Sequence, residues 1–245
     1  MTISLEGQTV LVIGGAKRIG RAVALECARS GANVAFTFHT STTEAEATLA
    51  ELREVSPDRK FAAFRLDVTR AQEWKALAGQ IEREFGRVSG LVFCAAIFNR
   101  TPLDELSEAD FDAHLAANTK GPFLGCQTFG PLLREGGAIV LFSDIYAQKP
   151  LANYIPYCVS KAGVEMIAKG FAKALAPRVR VNCLAPGAIL PGDGDEDDAE
   201  TLVARVPMKR LGSVEEVARA VLFLLGDAGF VSGVVLAVDG GQMLQ

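Results

Sequence analysis

Thr9-Val10-Leu11-Val12-Ile13-Gly14-Gly15-Ala16-Lys17-Arg18-Ile19-Gly20 joins an apolar run to a helical one through glycines. Thr9–Ile13 is a short apolar run of β type, closed by Gly14-Gly15. From Arg18 to Ser30 the residues Ile19, Val23, Ala24 and Cys27 recur at helical spacing, and Gly31 stops the run. Strand, glycine turn and helix in that order make a cradle for phosphate. Gly14 permits the tight turn, Gly20 lets helix pack closely on strand, and Lys17 and Ile19 lie in the turn between them. The helix N-terminus offers unpaired N–H groups and a positive dipole end to a pyrophosphate. A glycine-rich turn alone means little; its place between a first strand and a first helix gives it weight.

Outward from this turn the alternation continues. Val34–Phe38 reads as a strand and Thr42–Val55 as a polar-faced helix ending near Pro57. Phe61–Leu66, Ala71–Phe85 and Leu91–Ala95 follow as strand, helix and strand. Ser107, with Asp110 three residues on, reads as the N-cap of a helix running toward Gly121, and a further apolar stretch reaches Leu133. Ala138–Phe142, Val179–Leu184 and Val234–Val238 read as strands, and Ile155–Leu175 and Val214–Leu225 as helices. Strands apolar throughout and separated by helices imply a parallel sheet covered on both faces. The expected fold is α/β: a doubly wound (Rossmann), mostly parallel seven-stranded sheet with helices on both faces. No linker or repeat divides the chain, so residues 1–245 read as a single dinucleotide-binding and catalytic domain.

Bulk properties exclude other classes. Apolar residues make up 49% of the chain, which argues against disorder. The net charge is −4 and the basic residues form no stripe or arm, so nucleic acid is not an expected partner. No apolar run is long enough to span a bilayer, and no signal peptide is visible. The five cysteines are odd in number and lack zinc-ligand or C-x-x-C spacing. They read as reduced, mostly buried thiols of a cytoplasmic protein, with no metal. Gly192–Asp198 is irregular and very acidic, fails the EF-hand pattern and reads as a solvated lid.

The end of the second strand decides the cofactor. NAD-type sites place a carboxylate there to hold the ribose hydroxyls. Here the strand runs into Phe38-His39-Thr40-Ser41-Thr42-Thr43, and the first acid is Glu44. His39, Thr40 and Ser41 offer an imidazole and hydroxyls to a 2′-phosphate, and Arg18 adds a positive charge. At about 4 Å and an effective dielectric near 20, one such charge is worth roughly 4 kcal/mol before desolvation. NADPH is the expected cofactor. The plainer alternatives are an ordinary capped loop for His39 and Ser41 and a solvated first-turn residue for Arg18.

Tyr157 and Lys161 stand four apart, on one face of the long helix. An ammonium that close is expected to pull the phenol from about 10 toward neutrality and make it an acid–base catalyst. Asp144 lies thirteen residues upstream of Tyr157. It reads either as a carboxyl completing the site or as a capping carboxylate.

These motifs together resemble the short-chain dehydrogenases/reductases over essentially the whole chain, and within them most the pteridine reductases. The family's usual T-G-x-x-x-G-x-G appears with Ile13 in the Thr place and Arg18 in the middle Gly place, the latter a pteridine-reductase habit. By this resemblance Asp67, followed by Val68, contacts the adenine. Ala95 falls in the cofactor-binding segment after the fourth strand, where Phe93-Cys94-Ala95-Ala96 replaces the usual Asn-Asn-Ala-Gly. Pro186, Gly187 and Ile189 lie beside the nicotinamide, and Pro191 replaces a Thr that binds its carboxamide. Asn118 carries a water-mediated proton relay toward Lys161, and Lys161 holds the nicotinamide ribose. The general family has Ser where this chain has Asp144; pteridine reductases are similar in having Asp. Ser143 fills the serine's role only if the loop is one residue longer. Phe98 falls where pteridine reductases sandwich the pterin, though it also reads as a plain core or lid residue. The resemblance implies a homotetramer and a small-molecule substrate. The implied reaction is hydride transfer from NADPH to a dihydropteridine or dihydrofolate C=N bond. The alternatives are a carbonyl reductase acting on 3-oxoacyl carriers, quinones or ketones, and a non-catalytic NADP(H) sensor.

Overall fold

A computed structural model describes residues 3–189 and 199–245. The expected elements form, with ends moved by one or two residues, and a short helix at Ala199–Ala204 adds to them. They are β1 (Thr9–Ile13), α1 (Arg18–Arg29), β2 (Asn33–Phe38), α2 (Thr42–Val55), β3 (Phe61–Arg65), α3 (Ala71–Phe85) and β4 (Gly90–Phe93). After these come α4 (Glu108–His114), α5 (Gly121–Phe129), β5 (Gly137–Phe142), α6 (Ile155–Leu175), β6 (Val179–Pro186), α7 (Ala199–Ala204), α8 (Val214–Gly226) and β7 (Val235–Val238). The seven strands lie in the order β3-β2-β1-β4-β5-β6-β7. Every pair is parallel, where the sequence suggested mostly parallel.

Alternation along each strand builds two cores. On β1, Val10 and Val12 face one cluster, which also contains Val23 and Cys27 of α1 and Val221 of α8. Leu11 and Ile13 face the other, with Trp74 of α3, Phe129 of α5 and Val164 of α6. A one-residue slip of β1 would exchange these faces, which is why its register is fixed. All five thiols are free, and Cys27, Cys126 and Cys183 are buried as expected. Burial pushes the Cys27 thiol up to about 12, which leaves it inert. Among the described residues no helix is long and apolar enough to cross a membrane.

One stretch departs from expectation. Ser107 and Asp110 do form a reciprocal capping box on α4. The helix does not run on to Gly121, however: Leu115–Lys120 widens into a π-helical turn before α5 begins. The strand order reverses between β1 and β4, so the crevice beyond their carboxyl ends is where a doubly wound sheet binds its ligand. Pro191 and the acidic 192–198 segment lie outside the described residues.

Candidate active site

The phosphate turn is shaped by close contact. Gly14 has φ +78°, and a Cβ on it would lie 2.8 Å from the Ala95 nitrogen. A Cβ on Gly20 would lie 2.0 Å from the Gly14 carbonyl oxygen, so any side chain there displaces the turn. Arg18, in the middle glycine place, is one of few non-glycine residues with positive φ, at +53°. Thr37 of β2 takes the Gly14 and Gly15 N–H groups on its hydroxyl (3.1 Å) and carbonyl (2.9 Å). Thr48 of α2 donates to the Ala16 carbonyl at 2.8 Å. No side chain caps the N-terminus of α1, which begins at Arg18. A glycine cradle ending on an uncapped helix fits a bound pyrophosphate.

A single cleft of about 1110 Å³ runs from this turn to Tyr157. Gly14, Lys17, Arg18, Ile19 and Gly20 line it at one end, with His39, Thr40 and Ser41 beside them. Asp67 and Val68 line it from the β3–α3 connection, and Ala95 and Phe98 from the segment after β4. Asp144, Tyr157, Lys161, Pro186, Gly187 and Ile189 close the far end. Among the described candidate catalytic and binding residues, only Asn118 stands behind the wall. Its Oδ1 accepts from Ile97 N–H at 2.8 Å, and its Nδ2 donates to Ile97 O (2.9 Å) and Ser160 Oγ (3.0 Å). Both amide hydrogens are thus taken, and the side chain braces the β4 exit against α6.

The walls are held from outside. Asp67 Oδ1 accepts from the Thr69 N–H and hydroxyl. Partial burial raises its carboxyl, but Thr69, His39 and Arg70 outweigh burial and bring it below the usual range. Trp74 Nε1 donates to the Val68 carbonyl at 2.9 Å. The Gln242 side chain accepts from Ala188 N–H at 2.9 Å, which fixes the Pro186–Ile189 segment from the C-terminal turn. Cys94 and Ala95 N–H groups both donate to the Ile13 carbonyl, so backbone bonds brace the sheet end where the usual asparagines are missing.

At the reacting end the Tyr157 hydroxyl donates to Asp144 Oδ2 at 2.6 Å. Asp144 Oδ1 accepts from Tyr146 N–H at 2.9 Å. One Asp144 oxygen therefore caps a short turn and the other meets the phenol. Ser143 is not the family serine. It is buried, and its hydroxyl lies 3.1 Å from Glu165, whose carboxylate also accepts twice from the Gln148 amide. Lys161 is buried and donates to the Phe142 carbonyl at 2.8 Å, with Nζ 5.7 Å from the Tyr157 ring centroid.

The electrostatics correct one expectation. Burial pushes the Tyr157 phenol well above 10, and the charge and hydrogen bond of Asp144 push it the same way. Burial also raises Asp144, against the Tyr146 and Tyr157 hydrogen bonds and the Lys161 charge. Burial lowers Lys161, opposed first by Asp144. The pair does not make an acidic phenol, because its ammonium is turned to a carbonyl and a carboxyl sits closer. What the trio holds instead is a phenol that keeps its proton.

Some site residues were not singled out from the sequence. Tyr154 stacks on Phe98 with centroids 4.5 Å apart, and Phe98 meets Tyr157 edge-on at 4.6 Å. Ser160 links Asn118 to the Tyr157 carbonyl at 2.7 Å. The positions of both, three residues to either side of Tyr157, carried the signal. His114 is buried, with Nδ1 2.7 Å from Asp110 O.

A phosphate turn at the reversal of a doubly wound sheet, sharing one cleft with a buried Tyr–Lys pair and a half-buried carboxylate, defines a dinucleotide-binding oxidoreductase. The chain belongs to the short-chain dehydrogenase/reductase family. Residues 14–243 match the family model described as enoyl-(acyl carrier protein) reductase. The chain is 36% identical to a D-threitol dehydrogenase of Mycolicibacterium smegmatis, covering 98% of this chain and 95% of that one. It is 34% identical to a 3-oxoacyl-(acyl-carrier-protein) reductase of Thermotoga maritima, covering 98% and 99%. The structure of a Burkholderia cenocepacia short-chain dehydrogenase in complex with NADP superposes with a TM-score of 0.91. That protein is 31% identical, over 97% of this chain and 98% of its own.

Proposed function

We propose that this protein is an NADPH-dependent reductase that delivers a hydride to the C=N bond of a dihydropteridine or dihydrofolate. The observation that carries the reading is the 2.6 Å hydrogen bond between the Tyr157 hydroxyl and Asp144. A serine in that place would steady a carbonyl oxygen as a neutral donor. A carboxylate repels a carbonyl oxygen, whereas a carboxyl raised by burial can hold or pass a proton toward a ring nitrogen. NADPH when bound supplies the hydride. Lys161 orients the nicotinamide ribose, Tyr157 donates the proton, and Asp144 restores it. Asn118 holds the β4 exit and Ser160 in place. Phe98, stacked on Tyr154, supplies a flat face for a planar ring at the mouth. The NADP complex of the Burkholderia protein, together with the absence of a carboxylate at the end of β2, supports NADPH over NADH.

A second reading has its own support. The Thermotoga relative is named for 3-oxoacyl reduction, and that favours a carbonyl reductase. NADPH oxidation by the purified protein, with dihydrobiopterin in one cuvette and a 3-oxoacyl thioester in another, separates the two. Turnover of the pterin supports the first reading; brisk thioester turnover with none on any pterin supports the second. The chain is further proposed to act as one domain, in the cytoplasm, as a homotetramer.

A further inference from the structure

We propose that Arg65 reads the 2′-phosphate that distinguishes NADPH from NADH, an inference that rests on the NADPH reading above. Arg65 ends β3, opposite Phe38, the last residue of β2. Its Nε donates to the His39 carbonyl at 3.2 Å, which anchors the guanidinium at the β2 exit where a ribose 2′ substituent must pass. Beside the main cleft lies a smaller pocket of about 380 Å³, lined by Arg65 and Arg70 and sharing His39 and Asp67 with it. The charges of this pocket are unevenly spent. Arg70 Nε lies 3.1 Å from Asp67 Oδ2 and 3.9 Å from Glu73 Oε1. Glu73 Oε2 also accepts from Asp67 N–H at 2.7 Å. Both carboxylates are therefore engaged with Arg70 and the backbone. Arg65 makes no ion pair among the described residues, is exposed, and keeps both terminal amino groups of its fork for a partner. A planar fork fixed through Nε is preorganised for bidentate contact with a phosphate. Arg18, His39 and Ser41 line the main cleft at the same exit, and Arg65 adds a second guanidinium to that of Arg18 from the β3 side.

Calorimetric titration of the purified chain with 2′,5′-ADP and with 5′-AMP tests this without a substrate. The wild type should prefer 2′,5′-ADP, and Arg65→Gln should lose roughly tenfold or more in affinity for it, the worth of one charge-assisted contact. Its affinity for 5′-AMP should stay within about twofold, since only the phosphate contact is removed. Arg65→Lys, keeping the charge without the fork, should fall between, and Arg70→Gln should leave the preference in place. A wild-type preference that survives Arg65→Gln overturns the assignment and leaves the NADPH reading standing. A wild type with no preference overturns both.

Discussion

At the scale of the residue, the decisive atom pair is Tyr157 Oη and Asp144 Oδ2. Tyr157 and Lys161 were legible from helical spacing, and Asp144 from the family resemblance, which places a side chain of the site thirteen residues before the tyrosine. The charge state was not. It depends on burial and on where the Lys161 ammonium turns, which only the packed fold decides. The consequence can be measured as stability. Folding raises the Asp144 carboxyl above its ordinary value of 3.8, chiefly by burial. The folded state then binds that proton more tightly than the unfolded state does. Its contribution is complete below the unfolded value and is lost as pH rises through the folded one. Asp144→Asn has no proton to lose. Urea unfolding should show the variant gaining on the wild type as the pH rises above the ordinary carboxyl range. A gap that stays flat or shrinks would mean the carboxyl is not raised.

At the scale of the element, close approach sets the site. β1 and α1 meet through Gly20, whose missing Cβ makes room for the Gly14 carbonyl. Gly20→Ala should cost on the order of 3 kcal/mol by overpacking and abolish dinucleotide binding. A melting temperature and a titration with NADPH check both, and an unperturbed variant would refute the close fit. The strand and helix order was readable because periodicity survives in the sequence. The π-helical turn at Leu115–Lys120 was not, since an i→i+5 bond leaves no pattern in residue types. That turn carries Asn118 to Ile97 and Ser160, so the least legible element holds a site residue. Arg65 was missed for a related reason: it reaches the β2 exit only through strand pairing.

At the scale of the whole molecule, one sheet brings residues from Gly14 to Ile189 into a single cleft. The outer faces of α5 and α6 expose Phe123 (42%), Ile155 (48%), Val159 (45%) and Met166 (66%), more apolar surface than these helices need leave bare. The proposed homotetramer would cover it, and light scattering of Met166→Glu should report a smaller particle than the wild type; a monomeric wild type would refute the assembly. In the function proposed above, a carboxyl in the serine place directs hydride transfer toward C=N bonds rather than carbonyls. The most direct test is the ratio of NADPH oxidation rates on dihydrobiopterin and on a 3-oxoacyl thioester, compared between the wild type and Asp144→Ser. The ratio should favour the pterin in the wild type and fall by about 10²-fold in the variant, the usual worth of a positioned proton-transfer group. A wild type that prefers the thioester, or a ratio unmoved by Asp144→Ser, would contradict it.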